Sequence, residues 1–118
     1  MPLLRIADST YIGVLDPASA SAWYIEKLGL QKVASAEEED CISLAFSSRD
    51  LTAITLGPRD RPASEEAPML YASNVDKARE KLIARGVSVG AIEEDRQGTR
   101  YFTIRDLDGN QIEITEEP

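Results

Sequence analysis

The residue types able to do chemistry are few in this chain, and one is missing altogether. Among 118 residues there is no histidine and a single cysteine, Cys41. A thiol nucleophile normally works beside an imidazole base. Without one, Cys41 in the apolar run "CISLAF" reads as a small core residue. Carboxylates are the remaining candidates, and Glu113 stands out among them. It lies on the alternating run that closes the chain, in "GTRYFTIRDLDGNQIEI", just after a tight turn. A carboxylate there could bind a metal, act as a general base or receive a cationic group. It could equally be paired with Arg100 or Arg105 on the preceding run. The "EEED" run at 37–40 reads as a solvated loop. "DLDGN" has calcium-loop letters without the full spacing, so it reads as a turn.

These side chains need a scaffold, and the bulk numbers say what kind. At 42% hydrophobic, 118 residues make one domain with a core of ordinary size. Twenty-one acidic residues against 13 basic leave a net charge of −8. That disfavours nucleic acid and anionic membranes, which need a basic face. No run has the length and apolarity of a membrane span, and "MPLLRIADST" lacks a signal-peptide pattern. A lone cysteine cannot build a disulfide framework. The expectation is a soluble cytoplasmic protein.

The pattern predicts two copies of one arrangement. A loosely alternating strand at 5–14 leads to Asp16, a good N-cap, and Pro17, a good first helical residue. Ala18, Ala22, Ile25 and Leu28 recur at helical spacing and predict the buried face, and Gly29 ends the helix. Strands follow at 31–36, 41–46 and 51–56. The stretch "GPRDRPASEEAP" reads as a linker. A strand at 69–73 then precedes a helix capped by Asn74, with Val75, Ala78 and Leu82 inward and Gly86 as its stop. Strands at 87–93, 99–104 and 111–115 complete the chain, with Gly109 at a positive-φ turn. The fold class is therefore α+β, with two βαβββ modules at 1–57 and 67–118 joined by a linker at 58–66. Paired modules offer a curved mixed sheet with a concave cavity.

Three stretches carry a resemblance to a known group. "DPASASAWYIEKLGL", "NVDKAREKLIARGV" and "GTRYFTIRDLDGNQIEI" resemble the two helices and the closing hairpin of the vicinal oxygen chelate superfamily. That group includes glyoxalase I, extradiol dioxygenases, fosfomycin-modifying enzymes and bleomycin-resistance binding proteins. The resemblance implies four metal ligands in the cavity, one on the first strand and one on a later strand of each half. Seven residues before the caps, where a first-strand His would stand, the chain has Ser9 and Ala67. The later strand of the first half, "LTAITL", has no carboxylate. Only Glu113 remains. One carboxylate does not make a transition-metal site, and Asp8 with Glu113 would make at most a weak oxygen site. No metal and no cofactor are expected.

Period-two alternation puts Tyr11 on the face of Ser9, and Met69 and Tyr71 on the face of Ala67. The expected ligand-binding set is Ser9, Tyr11, Met69, Tyr71, Arg100 and Glu113, while Trp23 reads as core packing. An aromatic, acidic cavity suits a flat or cationic compound. The leading expectation is a metal-independent, homodimeric binding protein for a small organic ligand. The alternative is a divergent glyoxalase- or dioxygenase-like enzyme with Glu113 as its catalytic group.

Overall fold

The computed structural model describes residues 4–36, 40–59 and 68–117. The described chain runs β1 (Leu4–Ile6), β2 (Thr10–Val14), α1 (Pro17–Leu28), β3 (Gln31–Ala36), β4 (Cys41–Ala45) and β5 (Ile54–Pro58). It continues with β6 (Met69–Ala72), α2 (Val75–Ala84), β7 (Ser88–Val89), β8 (Glu93–Glu94), β9 (Arg100–Arg105) and β10 (Gln111–Glu116). One sheet has the order β2-β5-β4-β3, and the other β1-β6-β10-β9-β7, with β8 also on β9. Both are mixed. β2 runs parallel to β5, and β6 parallel to β10, while the other pairs are antiparallel.

The helix ends follow the local chemistry. Asp16 accepts a hydrogen bond from Ala18 N as the N-cap of α1, Pro17 occupies the first turn, and Gly29 closes the helix at φ 81°. Its cap hydroxyl partner Ser19 holds the Asp16 carboxyl below its ordinary range. Asn74 caps α2 by accepting from Lys77 N. Gly86, at φ 82°, follows directly after the last turn. The buried face of α2 is Val75, Ala78 and Leu82, as its spacing predicts.

The buried face of α1 is not the one the spacing predicts. It consists of Pro17, Ala20, Ser21, Tyr24 and Leu28, whereas Ala18, Ala22 and Ile25 are exposed. The face is turned by one residue, and only Leu28 is shared. Tyr24 decides this rotation. It is fully buried, and its hydroxyl donates to Asp106 Oδ2 at 2.6 Å. An aromatic ring whose polar tip is satisfied outweighs the small Ala18 and Ala22 side chains in buried area. Trp23 packs against the core from its partly buried position and meets Tyr24 edge-on at 5.0 Å.

The N-terminal strand also departs from expectation. The run at 5–14 breaks at 7–9 into two strands that serve different sheets. β1 pairs antiparallel with β6, so residues 4–6 join the sheet of the second half. The expected strand at 87–93 is likewise two short pieces, β7 and β8. β5 starts three residues later than the run at 51–56 suggests, and Leu51 is fully exposed. Residues 37–39 of the acidic run, and 60–67 of the linker with Ala67, lie outside the described residues.

One face of each sheet is apolar and packs on the helices. Ile12, Val14, Leu44, Ile54 and Leu56 from one sheet, and Leu70, Phe102, Ile104, Ile112 and Ile114 from the other, belong to a single core cluster with both helices. The alternate residues of each strand therefore face away from the helices. Those open faces are where a site can form.

Candidate functional site

Alternation and register together build the open face of the second sheet. On β6, Leu70 and Ala72 are buried in the core, so Met69 and Tyr71 point the other way. On β10, Ile112 and Ile114 are buried, so Glu113 and Thr115 point the other way. The parallel register sets Glu113 opposite Met69 and Thr115 opposite Tyr71. These four residues line a groove of about 660 Å³. Its rim is the turn at 95–99, where Asp95 accepts hydrogen bonds from Gln97 N and Thr99 N. Glu116 and Glu117 line it as well.

The groove is acidic. Glu113 Oε2 accepts a hydrogen bond from the Thr115 hydroxyl at 2.9 Å. Among the described residues no cation lies within ion-pair distance of Glu113. The two arginines that could have paired with it are engaged elsewhere. Arg100 holds Asp76 with both arms of its guanidinium at 2.9 Å. This contact lowers the Asp76 pKa and raises that of Arg100. Arg105 donates to Gly109 O. The counter-charge near the groove is Arg5, opposite Tyr71 in the β1–β6 register. Its guanidinium lies 4.5 Å from the Tyr71 ring centroid, and its Nε donates to Glu117 at 2.8 Å.

The structure thus brings together Met69, Tyr71 and Glu113, and places the other three expected residues elsewhere. Ser9 sits in the break between β1 and β2, where its hydroxyl accepts from Ala53 N. The break interrupts the alternation that was to put it on one face with Tyr11. Tyr11 belongs to the other sheet, its hydroxyl donating to Pro58 O. Arg100 has the parity of Phe102 and Ile104, the core-facing residues of β9, so it reaches the α2 side. Asp8 is exposed in the same break as Ser9.

Thr55 and Ser43, absent from the expected set, occupy the corresponding place in the first sheet. Tyr11 and Met69 each stand five residues before their helix caps, Asp16 and Asn74. Tyr11 is opposite Thr55 as Met69 is opposite Glu113. Thr55 is therefore the internal counterpart of Glu113, and its hydroxyl lies 3.0 Å from that of Ser43. Counting from the caps, then across the sheet, is the signal that finds it. Cys41 is buried nearby.

The donor set does not fit the metal centre that the family resemblance implies. Ser9 is bonded to the backbone, β5 carries no carboxylate, and Glu113 stands without a second ligand-type residue opposite it. Among the described residues, no three His, Cys, Asp or Glu side chains converge.

The family model described as Glyoxalase/Bleomycin resistance protein/Dioxygenase superfamily matches residues 5–114. No curated protein matches the chain. Among solved structures, a member of that superfamily from Sphaerobacter thermophilus is 26% identical. It superposes with a TM-score of 0.78 over 93% of this chain and 95% of its own. A lactoylglutathione lyase from Agrobacterium tumefaciens is 19% identical, with a TM-score of 0.72 over 92% and 91% of the two chains. A glyoxalase-related enzyme from Clostridium phytofermentans is 16% identical, with a TM-score of 0.75 over 94% of each. At these last two identities the likeness is one of fold.

Proposed function

Starting from a chain that belongs to the Glyoxalase/Bleomycin resistance protein/Dioxygenase superfamily, we propose that it is a metal-independent binding protein. Its ligand would be an aromatic or cationic organic compound, sequestered in the groove beside Met69, Tyr71 and Glu113. The observation that carries this reading is the state of Glu113. It is partly buried on a sheet face, held by Thr115, and has no cation beside it among the described residues. A carboxylate in that setting favours a ligand cation or a hydrogen-bond donor. Tyr71 supports the reading too, because its ring already receives one guanidinium, that of Arg5. The groove volume lies within the range of small-molecule sites.

The same proposal takes the protein to act as a cytoplasmic homodimer, without nucleic-acid or membrane partners. The net charge of −8 supports the first exclusion. Among the described residues no helix is long and apolar enough to cross a membrane.

A thermal-shift screen of flat organic cations against neutral and anionic analogues tests the ligand class. A ligand at about 100 times its dissociation constant adds roughly 2.7 kcal/mol to the folded state. Cations should dominate the compounds that raise the melting temperature. In Glu113→Gln that ligand should bind more weakly by about 1–3 kcal/mol. A folded Glu113→Gln variant with unchanged affinity would remove Glu113 from the site.

A further inference from the structure

On the helix side of the molecule, away from the Glu113 groove, lies a second cavity of about 230 Å³. Its apolar wall consists of Leu4 from β1, Leu28 from the end of α1, Phe46 after β4, and Ala78 and Leu82 from α2. Its mouth carries Lys81 and Arg85. We propose that this cavity is a binding site for a small apolar monocarboxylate, its hydrocarbon part against Leu28, Phe46 and Leu82 and its carboxylate on Lys81 and Arg85.

The charge pattern points to an anion. Lys77, Lys81 and Arg85 follow one another at four-residue steps along α2. Neighbours at that spacing meet on the helix surface, and like charges there destabilise the helix. The residues three and four away from Lys81 are Lys77, Ala78, Ala84 and Arg85, so no acid at that spacing relieves it, whereas Lys77 has Glu80 three residues on. Lys27 of α1 adds another cation at this end, with Glu26 3.6 Å from its ammonium. A chain with net charge −8 thus gathers an excess of cations around one apolar cavity.

The ordinary use of cations at helix C-termini is already accounted for. Lys27 Nζ donates to Arg85 O at 2.6 Å, and Arg85 Nη1 donates to Lys27 O at 2.9 Å. This reciprocal pair satisfies a terminal carbonyl of each helix. Lys81 takes no part in it. Among the described residues the Lys81 ammonium has no hydrogen-bond or ion-pair partner, and Arg85 lines the same cavity. A carboxylate would complete both. The cavity is smaller than sites for drug-sized ligands, which limits the occupant to a short aliphatic chain or a single ring.

The test is a titration of the labelled protein with octanoate, followed by amide chemical shifts, with n-octylammonium as the charge-reversed control. Octanoate should give saturable shifts at Gly29, Phe46 and residues 78–85, and n-octylammonium none there. Lys81→Glu should weaken octanoate at least about tenfold, as loss of a charge-assisted contact does. Lys81→Arg should retain it, and Glu113→Gln should leave it unchanged. Lys81 is exposed, so the amide spectrum of each variant reports whether the fold is kept. Equal shifts from both amphiphiles, no saturable shift at these residues, or undiminished octanoate binding by folded Lys81→Glu would overturn the proposal.

Discussion

Asp106 shows how a single residue can be mistaken for surface punctuation. In "DLDGN" it reads as turn chemistry, and the turn does form, with Gly109 at φ 83°. Yet Asp106 is buried, accepting from Tyr24 Oη, Asp108 N, Asn110 N and Asn110 Nδ2. It ties the turn between the last two strands to α1, and Asn110 adds a bond to Gly13 O. Burial, then the charge of Asp106 and the bond to it, push the Tyr24 phenol far above its ordinary value of 10.0. The fold therefore favours the neutral phenol. Its contribution is complete below about pH 10 and declines as pH rises further, where the unfolded phenol ionises and the folded one does not. Tyr24→Phe should cost about 1.5–3 kcal/mol at neutral pH, as loss of a hydrogen bond to a charged group. It should also remove the part of the alkaline decline that Tyr24 causes. Urea unfolding of both proteins across pH 8 to 11 measures the two effects. An alkaline decline of the same size in the variant would assign it to other groups.

At the scale of elements, close approach can be tested at Gly57 on β5. A Cβ there would come within 2.5 Å of Tyr11 Oη and 2.8 Å of Cys41 Sγ. Gly57→Ala should therefore destabilise by about 1–3 kcal/mol through overpacking. Adding Tyr11→Phe should recover part of the loss by removing the nearest atom. Wild-type stability in the single variant, by urea unfolding, would show that Tyr11 moves aside at no cost. Much of the element pattern was legible in the chain. Caps, Pro17, Gly29 and Gly86 bound both helices because their chemistry is local. The α2 face was legible because its core residues are plainly apolar. The α1 face was not, since Tyr24 buries its ring only by virtue of Asp106, 82 residues away. The split into β1 and β2 was equally hidden, because it depends on β6 as a pairing partner for residues 4–6. The site followed the same division. Met69 and Tyr71 came from alternation within an intact strand and Glu113 from the resemblance of the closing hairpin, whereas Ser9 and Arg100 depended on a break and a parity that only register reveals.

At the scale of the molecule, both sheets keep an open face, and every residue of β3 is exposed. Uncovered sheet surface and an edge strand invite a second copy. Light scattering at micromolar concentration should give twice the 13.0 kDa chain mass, and a stable monomer there would count against the homodimer. The larger claim is that the Glu113 groove binds its ligand without a metal. Calorimetric titration of chelator-stripped protein with a compound found by the thermal-shift screen tests it most directly. The groove should show a saturable site of unchanged affinity before and after stripping, weakened by about 1–3 kcal/mol in Glu113→Gln. Binding that disappears on stripping and returns with an added divalent metal would contradict it.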